Sequence, residues 1–186
     1  MDIRQMQRKQ KEADELKFGR YKNYAPQLRN VMKRRDKIKV ALLVETGVMI
    51  KTLGWCEVWK EKQKIDQQAV KTSFAHCIAL ILAWGNIYCV VISSERLQGH
   101  IDFLMALKPT FSKSNREDPK HQAELFTTVL AFLDDKHFDE NEVQGLLHQY
   151  IAFGILSLRL TPEEIEKNYL EQTTKNIEAI LNESYS

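Results

Sequence analysis

The 186-residue sequence predicts an all-α helical bundle. Three observations carry that prediction. No stretch alternates apolar and polar residues as a half-buried strand does, and no hairpin turn signal or internal repeat occurs. Between Asp36 and Asn86, apolar residues recur at three- and four-residue steps. Thr161-Pro162-Glu163-Glu164 combines a capping hydroxyl, proline at the first helical position and a glutamate three residues after the cap, a strong helix start.

Taken in order, residues 2–18 lack Gly and Pro and are rich in helix formers. Their apolar content is thin (Ile3, Met6, Ala13, Leu16, Phe18), which predicts a mostly exposed helix packing along a narrow stripe. Gly19 to Pro26 reads as a turn, with Pro26 starting the next helix and Lys33-Arg34-Arg35-Asp36 leading into the central helix, with or without a break. The central pair follows: one helix over 36–53, stopped by Gly54, and a second from about Asp66 to near Ser94 with a kink at Gly85-Asn86. The two are expected to be antiparallel. Between them lies a connector with Trp55 and Trp59, which can wall a pocket or cover the core; covering is the preferred role. Leu97, Ile101, Leu104 and Met105 predict a shorter helix, and Pro109 to Pro119 a loop. Further helices are expected over 121–133, 140–158 (with Asp139 as N-cap) and 162–181. The chain is read as one domain, 1–186: a basic N-terminal helical segment (1–35), the central pair (36–94) and C-terminal helices (95–186).

Composition is that of a soluble globular protein, 44% apolar and 28% charged. Cys56, Cys77 and Cys89 form no Cys-x-x-Cys pair, which points to a reducing, cytoplasmic setting. The charged N-terminus gives no signal-peptide pattern. The apolar run Phe74–Ser93 approaches membrane-spanning length, but it suits a buried helix, and no membrane association is expected. Net charge is +2, unevenly spread: residues 1–40 hold 13 Lys/Arg against 5 Asp/Glu. This basic segment is read as a solvated helix face, with nucleic-acid binding the lesser reading, since no base-stacking aromatic platform accompanies it.

Glu45 is the sharpest chemical feature. It falls within the stripe Ile38, Ala41, Leu42, Glu45, Val48, Met49, Thr52, where a buried carboxylate must be neutralised, paired or metal-bound. Phosphate-cradling glycine loops, His-Glu-x-x-His and Cys/His zinc patterns are absent. The five histidines, at 76, 100, 121, 137 and 148, are scattered singly.

Several segments together resemble the all-α dimeric dUTPases of the all-α NTP pyrophosphatase superfamily, the phage-encoded members most of all. They are Leu42-Leu43-Val44-Glu45; Leu53 and Trp55 to Trp59 followed by lysines; and Leu82-Ala83-Trp84-Gly85-Asn86. Leu160 to Tyr169 with Lys175-Asn176 is similar to the family's C-terminal helix and its phosphate-contacting segment, although Ile177-Glu178-Ala179-Ile180 departs from its basic tail. The resemblance implies a homodimer and nucleotide-binding candidates at Trp55, Trp59, Lys60, Asn86, Lys175 and Asn176. It also implies Mg²⁺ held by Glu-x-x-Glu on one helix and Glu-x-x-Asp on the next, four carboxylates on facing helices whose ions bridge phosphates and activate water. Here those positions read Glu45-Thr-Gly-Val48 and Ser73-Phe-Ala-His76, so Glu45 alone remains as a metal candidate.

One carboxylate cannot replace four for a hard, strongly hydrated cation. The expectation is therefore a catalytically degenerate dUTPase-like protein without a cofactor, binding a protein partner or a nucleotide without turnover. The alternatives are an active Mg-dependent dUTP/NTP pyrophosphatase with non-standard ligands, and an unrelated helical bundle with a structural or nucleic-acid role. Two further expectations follow. Glu45 meets His76 or Ser73 across the helix pair, directly or through one water, or else turns to the edge of its stripe and meets solvent or a lysine; and a homodimer covers Leu42, Val44, Ile78, Leu80, Ile81, Leu82, Val90 and Val91.

Overall fold

Helices supply every regular element of the computed structural model, which describes residues 1–21, 31–54, 65–109, 124, 127, 129–131 and 140–182; no strand occurs among them. The order is α1 (Ile3–Tyr21), α2 (Val31–Thr52), α3 (Gln67–Ile87), α4 (Ser94–Leu107), α5 (Glu140–Ala152), a π-helical turn (Phe153–Ser157) and α6 (Pro162–Asn182). Of the helix expected over 121–133, residues 124, 127 and 129–131 are described and are helical, with Val129 buried; the Asp139 cap, the Pro26 start and most of the 109–119 loop lie outside the described residues.

Helix α3 is the hub. It packs against α1, α2, α5 and α6, and Val70, Phe74, Cys77, Ile78, Ile81, Leu82 and Trp84 are all buried along it. A helix apolar on several faces needs neighbours on several sides. Among the described residues it is also the one helix long and apolar enough to cross a membrane, and most of that span is buried inside the bundle. Fully burying a side chain the size of Phe74 or Ile78 stabilises the fold by about 1.5–3 kcal/mol.

The α2–α3 pair is antiparallel, as expected. Lys39 Nζ lies 5.3 Å from the Trp84 ring centroid, Glu45 meets His76 and Thr46 meets Cys77, so rising numbers on α2 face falling numbers on α3. Gly54, at φ +75, closes α2. Helix α1 lays its narrow stripe, Ile3, Met6, Gln10 and Ala13, inward. There the Tyr169 hydroxyl of α6 reaches Met6 O at 2.9 Å and Gln10 Oε1 at 3.1 Å.

Three boundaries differ from expectation. Helix α1 continues through Gly19 to Tyr21, where a turn was expected. Helix α2 starts at Val31 rather than Asp36, because Lys33-Arg34-Arg35 is compatible with helix and no breaker interrupts it. Helix α3 ends at Ile87 instead of kinking and continuing to Ser94. Cys89 takes a left-handed φ of +55 and Val90 N–H donates back to Gly85 O at 2.9 Å. The crossover that follows is held by two glutamines. Gln7 Nε2 donates to Val90 O and its Oε1 accepts from Ile92 N–H (2.8 and 3.3 Å), while Ser93 N–H donates to Gln144 Oε1 at 2.9 Å. Ser93 then caps α4 through Arg96 N–H.

The start of α6 is as the sequence predicts. Thr161 N–H donates to Glu164 Oε2 (2.8 Å) and Glu164 N–H to Thr161 Oγ1 (3.2 Å), a reciprocal capping box. The turn before it is tied to the end of α4: Lys108 Nζ donates to Leu160 O at 3.2 Å and Arg159 Nη1 to Lys108 O at 3.2 Å.

The π-helical turn exists in close quarters. A Cβ on Gly154 would lie 2.7 Å from Phe74 Cζ and 3.0 Å from Ile165 Cδ1, so this turn approaches α3 and α6 as it does only because residue 154 has no side chain. Gly154→Ala should destabilise the fold by about 1–3 kcal/mol, the usual cost of overpacking, measured by urea denaturation. Equal stability would mean that Phe74 yields freely.

Candidate functional site

The stripe containing Glu45 overlaps the buried face of α2 only in part, sharing Leu42 and Met49 with it. Leu42, Thr46, Met49 and Leu53 are buried, whereas Ile38, Ala41 and Thr52 are half-buried and Val48 is 44% exposed. Glu45, one residue before Thr46 and so about 100° round the helix from it, retains 30% side-chain exposure. The expected buried carboxylate is thus corrected to one at the rim of the α2–α3 groove, where water still reaches it.

From the facing helix, His76 Nδ1 lies 3.6 Å from Glu45 Oε2. The expected contact with His76 is present, at ion-pair distance and slightly beyond direct hydrogen-bond reach. Ser73, one turn earlier on α3, is buried. The four positions therefore present a carboxylate, an isopropyl group, a hydroxyl and an imidazole. This donor set does not fit Mg²⁺, which takes oxygen ligands and is held through carboxylates. Two side-chain ligands also fall short of the three or four that zinc sites use, and no group of three His, Cys, Asp or Glu that could hold a metal occurs among the described residues.

Among the described sequence candidates, Lys175 lies nearer this pair than Asn86 does. Asn86 lies ten residues further along α3, about 15 Å away at the helical rise, and its Nδ2 donates to Gln7 O at 3.5 Å. Lys175 lines a polar depression between α3 and α6 with Gln68, Lys71, Thr72, Asn168 and Gln172. Thr72 shares a face of α3 with His76, so this depression opens one turn from the Glu45–His76 pair. Its volume is ≈ 10 Å³, room for about one water. Asn176 is exposed and accepts from Gln172 Nε2 at 3.2 Å. Trp55, Trp59 and Lys60 lie outside the described residues.

Behind the pair is a polar cluster that sequence reasoning missed. Thr46 Oγ1 donates to Leu42 O at 2.7 Å. Its single proton is then committed, so the Tyr150 hydroxyl, in contact with Thr46 Oγ1, is the donor in that bond. Cys77 Sγ approaches Thr46 Oγ1 at 3.9 Å. Burial pushes the Cys77 thiol up to about 12 and raises the Tyr150 phenol as well, so both stay neutral and unreactive at neutral pH. This cluster joins α2, α3 and α5 beneath the groove.

Among the described residues the protein is all-helical, with a central antiparallel pair that carries Glu45 and His76 at its rim. The family model described as dUTPase matches residues 2–185. The chain belongs to the all-α dimeric dUTPase family, which sets aside an unrelated bundle. No curated protein and no solved structure matches it.

Two measurements follow. Thr46→Val leaves the Tyr150 hydroxyl with only the weakly accepting thiol and should cost about 1–3 kcal/mol, whereas Tyr150→Phe leaves Thr46 bonded to Leu42 O and should cost about 0.5–1.5 kcal/mol. Chemical denaturation would read the order, and its reversal would refute the assigned donor. For Glu45 and His76, each about a third exposed, a double-mutant cycle should return a coupling below about 1 kcal/mol. A coupling of several kcal/mol would mean that the pair is desolvated.

Proposed function

We propose that this dUTPase-family protein does not turn over dUTP and acts by binding, either of a protein partner or of a nucleotide without hydrolysis. The observation that carries the reading is the donor set across the groove. If the family's four metal carboxylates correspond to Glu45, Val48, Ser73 and His76, the last three cannot supply carboxylate oxygens. The 3.6 Å approach of His76 Nδ1 to Glu45 puts an imidazole beside the remaining carboxylate where the family uses metal. In this reading, a catalytic centre has become a polar link between two core helices.

Binding as a homodimer fits the family and the surface of α2. Val40, Val44 and Val48 are 61%, 57% and 44% exposed, and their four-residue spacing places them on one face beside Glu45. Most of the surface expected in the interface is used internally. Leu42, Ile78, Ile81 and Leu82 are buried within the protomer, and Leu80 and Val90 are partly so, while Val44 and Val91 remain exposed. The valine face replaces them as the proposed contact. A cytoplasmic location agrees with the neutral, buried Cys77 thiol and the free Cys89.

The test is titration with dUTP and a non-hydrolysable analogue, with and without Mg²⁺, followed by product analysis. The expected result is no hydrolysis above background. Val48→Glu, Ser73→Glu and His76→Asp introduced together should create divalent-ion binding visible by calorimetry. Mg²⁺-dependent turnover by the unmodified chain would overturn the proposal.

A further inference from the structure

Away from the groove, α4 and α5 meet through two stacked imidazoles. His100 and His148 lie with ring centroids 4.4 Å apart and planes inclined by 7°. His100 Nε2 is 3.2 Å from His148 O; a carbonyl only accepts, so His100 carries its proton on Nε2. The opposite side of His148 is set by a second fixed donor. Ser93 N–H can only donate, so the Gln144 oxygen must face it (2.9 Å). The Gln144 amide nitrogen therefore faces His148 Nε2, at 2.8 Å. An amide nitrogen offers only hydrogens, so His148 Nε2 must present its lone pair, and the imidazole must be neutral.

We propose that this contact is an acid-released latch. It stays closed while His148 is neutral, and protonation of His148 sets N–H against N–H and frees Gln144 from the start of α4. The consequence is specific to the crossover, because Gln144 is buried and its oxygen takes the backbone N–H of the residue that caps α4. Gln7 would continue to hold Val90 and Ile92, so the release would begin at Ser93.

The electrostatic surroundings act in the same direction. Burial, then the charge of His100, then that of Arg96 lower His148 from 6.5 to about 4. From α4, Arg96 and His100 are the charges that act on it; Arg96 Nη1 also donates to Asn141 Oδ1 at 3.4 Å. Glu95 and Asp102, the carboxylates of α4, are exposed, and Asp102 accepts from Gln98 Nε2 at 2.8 Å. The π-helical turn carries no titratable side chain. Cys77 of α3 acts on Tyr150 of α5, and burial keeps it a neutral thiol. Because the folded value lies below the unfolded one, the unfolded chain binds more protons between them. Stability from the latch is therefore complete above about 6.5 and lost as pH falls toward about 4.

The test is NMR on the full chain, following the two histidine rings and the hydrogen exchange of the Ser93 amide from neutral pH downward. The expected result is a His148 ring that stays neutral through the ordinary imidazole range, with Ser93 protection lost in step with its protonation. Gln144→Glu should reverse the dependence. A carboxylate still accepts from Ser93 N–H but favours the imidazolium, raising the pH at which His148 protonates by about 1 to 3. Titration of wild-type His148 near 6.5 with Ser93 protection unchanged would overturn the latch. So would a Gln144→Glu protein that folds and leaves the His148 titration where it was. The wild-type measurement decides the matter if that variant does not fold.

Discussion

The antiparallel seam between α2 and α3 is the contact on which the other elements depend. Its register is marked at two levels: Lys39 over the Trp84 ring at one end and, near the middle, Thr46 against Cys77 inside with Glu45 opposite His76 at the rim. A shift of one helical turn, about 5.4 Å, would break all three contacts together. Only with α3 so placed can Tyr150 of α5 reach Thr46. The remaining apolar surface of α3 then takes α1 and α6, which are themselves joined by the Tyr169 hydroxyl at Met6 and Gln10.

The seam also separates two kinds of polar group. The Thr46–Tyr150–Cys77 cluster is buried, and each member is neutral, so it holds three helices together without carrying charge into the core. Leaving a buried donor unmet costs more than a completed bond gains, which gives the cluster its specificity. Glu45 and His76 sit one step outward, where water still solvates them. Their interaction is correspondingly weak as a stabiliser, and it leaves both side chains partly open to solvent. The valine face of α2 continues outward from Glu45, so a polar pair borders an apolar surface.

The candidate pair was legible in the sequence because its partners lie on helices close in the chain. Spacing put Glu45 in phase with Ala41 and Val48, and the family pattern put His76 opposite. The Thr46–Tyr150 bond joins residues 104 apart, and neither residue type is unusual on a helix, so no local signal marks it. The same holds for His100 and His148, two scattered histidines until α4 and α5 pack. The position of Asn86 was hidden for a related reason: the pattern that includes it continues along α3, but the helix carries it two to three turns away from Glu45, next to α1.

The sequence by itself determined what depends on neighbours within a turn or two. The all-helical class, the Gly54 stop and the Thr161–Glu164 capping box are set by backbone preference and by hydrogen bonds between residues three or four apart. Tertiary structure decided the rest. It ended α3 at Ile87 by giving the crossover backbone partners from Gln7 and Gln144, residues far away in the chain. It also decided which apolar faces are covered within the protomer, burying Leu42 and Ile78 while leaving Val40, Val44 and Val48 open. Periodicity gives the angle of a residue around its helix, but burial depends on which other helix lies at that angle. That placement is a property of the packed bundle.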